Sequence, residues 1–333
     1  MTEESVGPEG GVGLRDAIRL LRSAGNASVL RALVTNVTGG QVLELLPPEA
    51  ETPRLQPASP IEGDTLRTVP VEGGTASGFV AFLDGVQQSR VAAQQGAIPF
   101  VHGTVAAVVR VRRARRLLTW TGGLRVSRAV YLPIGLLDDA VCAVLRAGGA
   151  ELVDTSEGTS VPVHPQELLA RARSAVQRRR ELLETALAER WCSAAEGPVM
   201  VDGSISNQGL ASGSVLAVGV VKSHRTLYAT ADALDQVAQL PVAHRTTAFD
   251  VRSPRRTAVA SWYLRLHAPR ALDPLFGLVR IEVAHHTFTS ARADEVSRWV
   301  LAERTPVALP DRRWHVMSYG VKDCEAYLRA LVS

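Results

Sequence analysis

Cysteine is scarce in this chain, which carries three among its 333 residues. Cys142, Cys192 and Cys324 lie far apart, and no CxxC pair occurs. Zinc sites and disulfide frameworks depend on characteristic cysteine spacings, so the sequence predicts neither. A chain without a disulfide framework is typical of a reducing compartment, and we therefore expect a cytoplasmic protein.

Long apolar runs and several enzyme motifs are also missing. No apolar segment reaches the roughly 20 residues that a membrane-spanning helix needs. The first twelve residues are acidic and glycine-rich, unlike a signal peptide, and we expect them to be disordered. The chain has no glycine-rich Walker loop, so we do not expect it to hydrolyse ATP itself. It also lacks HExxH and GxSxG, the signatures of zinc proteases and α/β-hydrolases.

The overall composition is that of a globular protein with a mild positive charge. Hydrophobic residues make up 46% and charged residues 21%, which excludes wholesale disorder. The net charge is +4 and the isoelectric point is near 9.2. Arginine supplies nearly all of the positive charge, and arginine favours bidentate contacts with phosphate. This balance permits a nucleic-acid partner without requiring one.

Two apolar segments end in Asp-Gly, and this repetition is the best indication of function. The first is Gly-Phe-Val-Ala-Phe-Leu-Asp-Gly with Asp84, and the second is Gly-Pro-Val-Met-Val-Asp-Gly-Ser with Asp202. Each pattern predicts a buried strand that ends in a carboxylate, although Asp-Gly also occurs simply as a turn. Two carboxylates on neighbouring strands can share a divalent metal, because hard cations take oxygen ligands. The pattern therefore favours metal-dependent phosphodiester chemistry.

The order of the predicted elements indicates an α/β fold with a mixed central sheet flanked by helices. Residues 14–34 have helical spacing, and the proline-rich segment 47–64 is typical of a linker or exposed loop. We expect residues 13–70 to form a helical and linker appendage, and residues 75–333 to form one large domain. That domain begins with a predicted antiparallel meander over 77–84, 88–95 and 98–112. The clearest helix spans 164–191, and strands follow near 198–203, 213–222, 258–267 and 276–284. Helices near 291–303 and from 322 onward complete the pattern.

The ordered set of motifs resembles the NurA nuclease family over roughly residues 75–330. The motifs are Phe-Leu-Asp-Gly-Val, Arg-Arg-Arg-Glu-Leu-Leu-Glu, Val-Asp-Gly-Ser, Gly-Val-Val-Lys-Ser, Ser-Trp-Tyr-Leu-Arg-Leu, Phe-Gly-Leu-Val-Arg-Ile-Glu and Tyr-Gly-Val-Lys-Asp-Cys-Glu-Ala-Tyr-Leu. The resemblance implies an RNase H-like fold and a nuclease that depends on two Mn²⁺ or Mg²⁺ ions. It also implies a homodimer that partners a HerA-type hexameric ATPase in DNA end resection, repair or defence, and hence a nucleoid-associated protein.

Residue roles follow from this resemblance. Asp84 and Asp202 match the aspartates of the first and second Asp motifs, and both are expected to bind metal. A helical glutamate between them is expected as a further ligand; Glu184 is favoured over Glu181, three residues earlier on the same helix. Lys222 follows an apolar strand and is a candidate for offsetting phosphate charge, although lysines at strand ends also simply extend into solvent.

The fourth metal ligand is the point at which the sequence departs from the family pattern. Members of the family often carry an Ala-His pair on the C-terminal helix, and the matching stretch here is Glu325-Ala326-Tyr327. Glu325 is therefore one candidate for an oxygen ligand. His285 and His286 are the alternatives, and at most one of two adjacent strand residues faces a given side. If neither supplies a ligand, the chain becomes a catalytically degraded subunit that binds DNA and regulates the translocase.

Several arginines are candidates for nucleic-acid contacts. Arg110, Arg112 and Arg116 belong to a basic run on and beyond a predicted strand, and alternate strand residues can line a groove. Arg180, on the long helix, is expected to extend this surface. The competing interpretation of the basic run is a solvated sheet edge that discourages strand pairing. Nothing in these residues separates DNA from RNA as the substrate.

Overall fold

The computed structural model describes residues 33–35, 52–74, 76–114, 116–157, 163–253, 256–269, 273–304 and 318–332. In these ranges five α-helices occur: α1 (Asp139–Ala147), α2 (Pro165–Ala194), α3 (Ala231–Ala238), α4 (Ser290–Ala302) and α5 (Tyr319–Val332). The strands are β1 (Leu33–Thr35), β2 (Arg54–Gln56), β3 (Ser59–Pro60), β4 (Thr68–Pro70), β5 (Ala81–Gln95), β6 (Ile98–Arg113), β7 (Arg116–Leu132), β8 (Leu152–Asp154), β9 (Val199–Asp202), β10 (Ala217–Val221), β11 (Thr226–Tyr228), β12 (His244–Thr246), β13 (Phe249–Ser253), β14 (Arg256–Arg265) and β15 (Leu278–Ala284). No helix in these ranges is long and apolar enough to cross a membrane.

Three long antiparallel strands, β5, β6 and β7, form a ribbon that begins the large sheet. The predicted meander had the wrong boundaries, because 81–95 is a single strand and the third strand is 116–132 rather than 98–112. Asp84 therefore lies inside a strand and not at its end. The reason is that Gly85 stays in the ladder opposite Ala107, so the strand continues past Asp-Gly without a turn. The predicted turn at Gly96 is confirmed, with φ +57°.

The sheet has the order and orientation of an RNase H-like fold. Its central strands run β7-β6-β5-β9-β10, in which the first three are antiparallel and β5, β9 and β10 are mutually parallel. β15, β14 and β13 extend the sheet beyond β10, and each is antiparallel to the strand before it. The predicted fold class, a mixed α/β sheet flanked by helices, is confirmed.

Helices cover the two faces of the central strands. α2 lies on one face, where Leu187 and Trp191 pack into the cluster that contains Leu83. This helix begins with Pro165 at its first position, and the His164 ring caps it by accepting from the backbone N–H of Gln166. α4 and α5 lie on the other face, in the cluster that contains the buried ring of Phe82. The predicted late strands and helices occur as β9, β10, β14, β15, α2, α4 and α5, with boundaries within a few residues.

The segment before the ribbon takes part in the fold more than a linker would. Most of the helix predicted over 14–34 lies outside the described residues, and the structure places Leu33–Thr35 in a strand paired with β5. Within 47–64 the short strands β2 and β3 pair with β11 and β13. Glu62 also forms a salt bridge at 2.7 Å with the buried guanidinium of Arg245. Residues 54–70 are thereby fastened to the sheet.

Candidate active site

Asp84 and Asp202 lie side by side on neighbouring parallel strands, as the two Asp-Gly motifs predicted. The register of β5 against β9 pairs Leu83 with Val201, so the two aspartates come next on each strand. β9 ends at Asp202 because Gly203 takes φ +118°, a conformation that glycine adopts readily. Asp84 is only 7% exposed, and its Oδ1 accepts from the backbone N–H of Gly85 at 2.8 Å.

Glu184 reaches the two aspartates from helix α2. A Cβ atom at Gly85 would lie 2.2 Å from Glu184 Oε1, so the carboxylate approaches β5 where only glycine leaves space. Arg180 Nη1 donates to the same oxygen at 2.5 Å. Glu181 is turned away from this contact and accepts from Gln177 Nε2 at 2.9 Å. The structure therefore brings Glu184, and not Glu181, against the Asp-Gly segment of β5.

Lys222 and Glu325 complete the charged groups around the aspartates. Lys222 follows β10, and its Nζ lies 2.8 Å from Asp202 Oδ1. Glu325 projects from α5 and is nearly buried, and its Oε1 lies 2.8 Å from Nη2 of Arg329. A cleft of about 330 Å³ opens between β5 and α5. It is lined by Asp84, Gly85, Val86, Gln87, Gln88, Arg180, Asp202, Glu325, Arg329 and Val332.

Burial and mutual repulsion shift the acid equilibria in this cleft. Burial and the charge of Asp202 raise the pKa of Asp84 well above its usual value, against the opposing effect of Lys222; the charge of Glu184 adds to the rise. Burial raises the pKa of Glu184 to about 7, although the guanidinium of Arg180 opposes the shift. Asp84, Glu184 and Asp202 thus repel one another when they are ionised, and a cation bound between them would relieve that repulsion.

The residues fit a hard divalent metal by their chemistry. Asp84, Glu184, Asp202 and Glu325 offer carboxylate oxygens, the ligands that Mg²⁺ and Mn²⁺ favour. In the described part of the chain, no three His, Cys, Asp or Glu side chains are arranged closely enough to hold a metal ion as they stand. Three of the carboxylates instead contact a cationic side chain, so metal binding there requires an exchange of partners.

The alternative ligands, His285 and His286, lie at the opposite end of the strands from Asp202. β15 is antiparallel to β10, with Val221 opposite Arg280. Its C-terminal end therefore lies where β9 and β10 begin, away from Asp202. His285 and His286 follow that end in a short 3₁₀ helix, and His286 is exposed. The structure therefore places His286 away from Asp202.

Of the four arginines predicted to bind nucleic acid, the structure brings one to the cleft. Arg180 lines it and donates to Gln87 Oε1 at 3.0 Å. Arg110 is used within the fold, since its Nε donates to Asp323 at 2.7 Å and its guanidinium stacks on Tyr327. Arg112 likewise pairs with Glu303 and lies over Phe82. Arg116 is exposed at the hairpin between β6 and β7 and does not line the cleft. The predicted groove along 110–116 is therefore not formed by these side chains.

A second cleft adjoins the first on the side of the loop after β9. It has a volume of about 580 Å³, and it shares Arg180 and Asp202 with the first cleft. It is lined by Arg178, Arg180, Glu181, Leu182, Glu184, Thr185, Asp202, Gly203, Ser204, Ser206, Asn207, Gln208, Gly209 and Thr257. The carboxylates therefore stand where two open clefts meet.

The loop that follows β9 is held in place by a buried acid. Glu282 is fully buried on β15, and its Oε2 accepts from Ser204 Oγ at 2.8 Å and from the Ile205 backbone N–H at 2.9 Å. Its other oxygen accepts from Arg280 Nη1 at 2.6 Å. Two opposite charges, Arg280 and Glu282, within an otherwise apolar strand were the available signal, because buried charges need partners.

No protein-family model matches the chain, and no curated protein matches it. Among solved structures, the chain is similar to the crystal structure of the NurA nuclease from Sulfolobus solfataricus, with 10% sequence identity and a TM-score of 0.43. The match covers 81% of this chain and 81% of that one.

Proposed function

We propose that this protein is a metal-dependent deoxyribonuclease that hydrolyses phosphodiester bonds. The observation that carries the proposal is the convergence of Asp84, Glu184, Asp202 and Glu325 where two adjoining clefts of an RNase H-like sheet meet. The motifs around these residues resemble those of the NurA family, which supports the same activity. A cluster of acids whose pKa values are raised by burial and by one another is also more frequent at catalytic sites than elsewhere.

The four carboxylates would hold two Mn²⁺ or Mg²⁺ ions. When bound, such ions supply an activated water and stabilise charge on the attacking and leaving oxygens. Two cationic side chains of the protein would act on the substrate rather than on the metal. Lys222 pairs with Asp202, and Arg180 pairs with Glu184. When these carboxylates bind metal instead, each cation can contact a phosphate oxygen. Gly85 keeps space for Glu184, and Glu282 fixes the loop that follows Asp202.

Cleavage of end-labelled DNA tests this proposal. Purified protein is incubated with single-stranded and linear duplex DNA in Mn²⁺, Mg²⁺ or EDTA, alongside Asp84→Asn and Asp202→Asn. We expect cleavage by the wild type in metal, none in EDTA, and a loss of at least a hundredfold in either variant. Asp232→Asn is the matched control, because Asp232 is an exposed aspartate on α3, away from both clefts.

Cleavage that persists in EDTA or in both aspartate variants would contradict the proposal. If the wild type binds DNA but never cuts it, the chain is instead the catalytically degraded subunit. The observation that favours this alternative is that Glu184, Asp202 and Glu325 each form an ion pair with a cationic side chain instead of being free to bind metal.

We further propose that the nuclease works as a homodimer with a HerA-type hexameric ATPase in DNA end processing. This part rests on the sequence resemblance alone. Co-purification of the two proteins, followed by cleavage assays with ATP and with a non-hydrolysable analogue, tests it. An ATP-dependent increase in cleavage is expected, and equal rates with and without the ATPase would contradict the partnership.

A further inference from the structure

A belt of polar side chains crosses the face of the ribbon that carries Asp84. We define this polar belt as Gln88 and Arg90 of β5, His102 and Thr104 of β6, and Arg128 of β7. The register pairs Gln88 with Thr104, Thr104 with Arg128, and Arg90 with His102. Because side chains alternate along a strand, all five lie on one face, the face to which Asp84 also belongs.

Apolar clusters lie on both sides of the polar belt. On the side nearer Asp84, Val86 and Val126 pack against the apolar cluster that contains residues of α5. Above it, Phe100 and Val130 belong to the cluster that contains Leu145 of α1. The polar belt thus interrupts a sheet face that is otherwise covered by helices. Gln88 is exposed and Arg90 and Arg128 are half-buried, so a ligand can reach the polar belt from solvent.

The arginines of the polar belt have no acidic partner among the residues that the structure describes. Neither Arg90 nor Arg128 forms a salt bridge with a described carboxylate, although most arginines of the long helix do. Both arginines are half-buried, and Arg90 lies directly opposite His102 in the sheet. Burial, together with the charges of Arg90 and Arg128, lowers the pKa of His102 to about 4. Two uncompensated positive charges are therefore held close together on one surface.

The polar belt is continuous with the carboxylate cleft. Val86 and Gln88 line that cleft, and Arg90 follows Gln88 on the same face of β5. Six residues of strand separate Asp84 from Arg90, which corresponds to about 20 Å. That length corresponds to the rise of about six nucleotides of one B-form strand, and fewer if the strand is extended.

We propose that the polar belt binds the phosphate backbone of the DNA strand where it leaves the carboxylate cleft, with Arg90 and Arg128 as the phosphate-contacting residues. Gln88 and Thr104 supply neutral hydrogen-bonding groups between the two cations. The carboxylates themselves repel DNA, so positive charge placed farther along the same face provides affinity without disturbing the metal site. This inference rests on the proposed nuclease function and names the path of its substrate.

Salt-dependent binding of a labelled single-stranded oligodeoxythymidine of 30 nucleotides tests the inference. The measurement uses the full chain with Asp84→Asn, which prevents cutting, and adds Arg90→Ala with Arg128→Ala. Each phosphate contact contributes about 0.7 to the slope of log K against log salt for a single strand. We expect the slope to fall by about 1.4 in magnitude and the affinity to fall most at low salt. Arg67→Ala with Arg113→Ala removes the same charge from exposed positions elsewhere and should leave the slope unchanged.

A second pair, Arg90→Lys with Arg128→Lys, keeps the charge and should retain most of the wild-type slope. An equal loss in the alanine and lysine pairs would assign the effect to the fold and overturn the inference. Cleavage by the wild type, with an unchanged slope in the alanine pair, would overturn the inference alone. Absence of both binding and cleavage in the wild type would overturn the proposed function and the inference with it.

Discussion

Replacing Glu184 by glutamine should stabilise the metal-free protein at neutral and higher pH. Glu184 is 4% exposed, and burial raises its pKa from 4.5 to about 7. An acid with a raised folded-state pKa contributes its full stability below the unfolded value and loses it as the pH rises through the folded value. The rise of about 2.5 in pKa, at about 1.4 kcal/mol for each pH unit, corresponds to about 3 kcal/mol.

Urea unfolding in EDTA at pH 4.5 and pH 8 measures this effect. We expect the free energy of unfolding of Glu184→Gln, relative to the wild type, to increase by about 3 kcal/mol between the two pH values. Glutamine can still accept the hydrogen bond from Arg180, so the comparison isolates the charge. Glu181→Gln is the matched control on the same helix, and its difference from the wild type should stay within about 0.5 kcal/mol.

A difference between Glu184→Gln and the wild type that does not change with pH would refute the reasoning. It would show that ionisation of Glu184 does not lower the free energy of unfolding. In the presence of Mn²⁺ the order should reverse once the ion is at about 1,000 times its Kd, because it then stabilises the protein that binds it by about 4.1 kcal/mol, more than the variant gains. A variant that gains stability but loses metal binding is the expected behaviour of a catalytic carboxylate.

Two further changes test how the site and the preceding segment are held. Gly85→Ala would place a methyl group 2.2 Å from the present position of Glu184 Oε1. DNA cleavage should therefore be lost, and the free energy of unfolding should fall by about 1–3 kcal/mol. Full cleavage by this variant would contradict the contact. Arg245→Ala leaves Glu62 without its buried partner and should lower the free energy of unfolding by about 3 kcal/mol and expose residues 52–70 to proteolysis. The exposed Arg67→Ala is its control, and equal protease resistance in both variants would contradict the anchoring role.

The central strands and the aspartates could be predicted because local signals and tertiary structure agree there. Alternating and continuous β-forming residues specify β5, β6 and β9, and Asp202 ends its strand where glycine takes a positive φ. Asp84 shows the limit of such signals. Asp-Gly is compatible with a turn, but pairing of Gly85 with Ala107 across a 15-residue strand overrides that local preference.

Residues that depend on packing between distant segments were harder to predict. The choice between Glu181 and Glu184 is made by the space at Gly85, which spacing along a helix does not reveal. Arg110 was expected to contact nucleic acid, yet the C-terminal helix supplies Asp323 and Tyr327 as its partners. The polar belt could not be predicted from the sequence, because its members come from three strands whose register only the folded sheet establishes.

The most direct test of the metal-dependent site is an anomalous-scattering measurement on crystals grown with Mn²⁺. The account predicts anomalous peaks among Asp84, Glu184, Asp202 and Glu325, where the two clefts meet, and their loss in crystals of Asp84→Asn. Retention of the peaks in that variant, or Mn²⁺ bound only elsewhere while the wild type cleaves DNA, would contradict it.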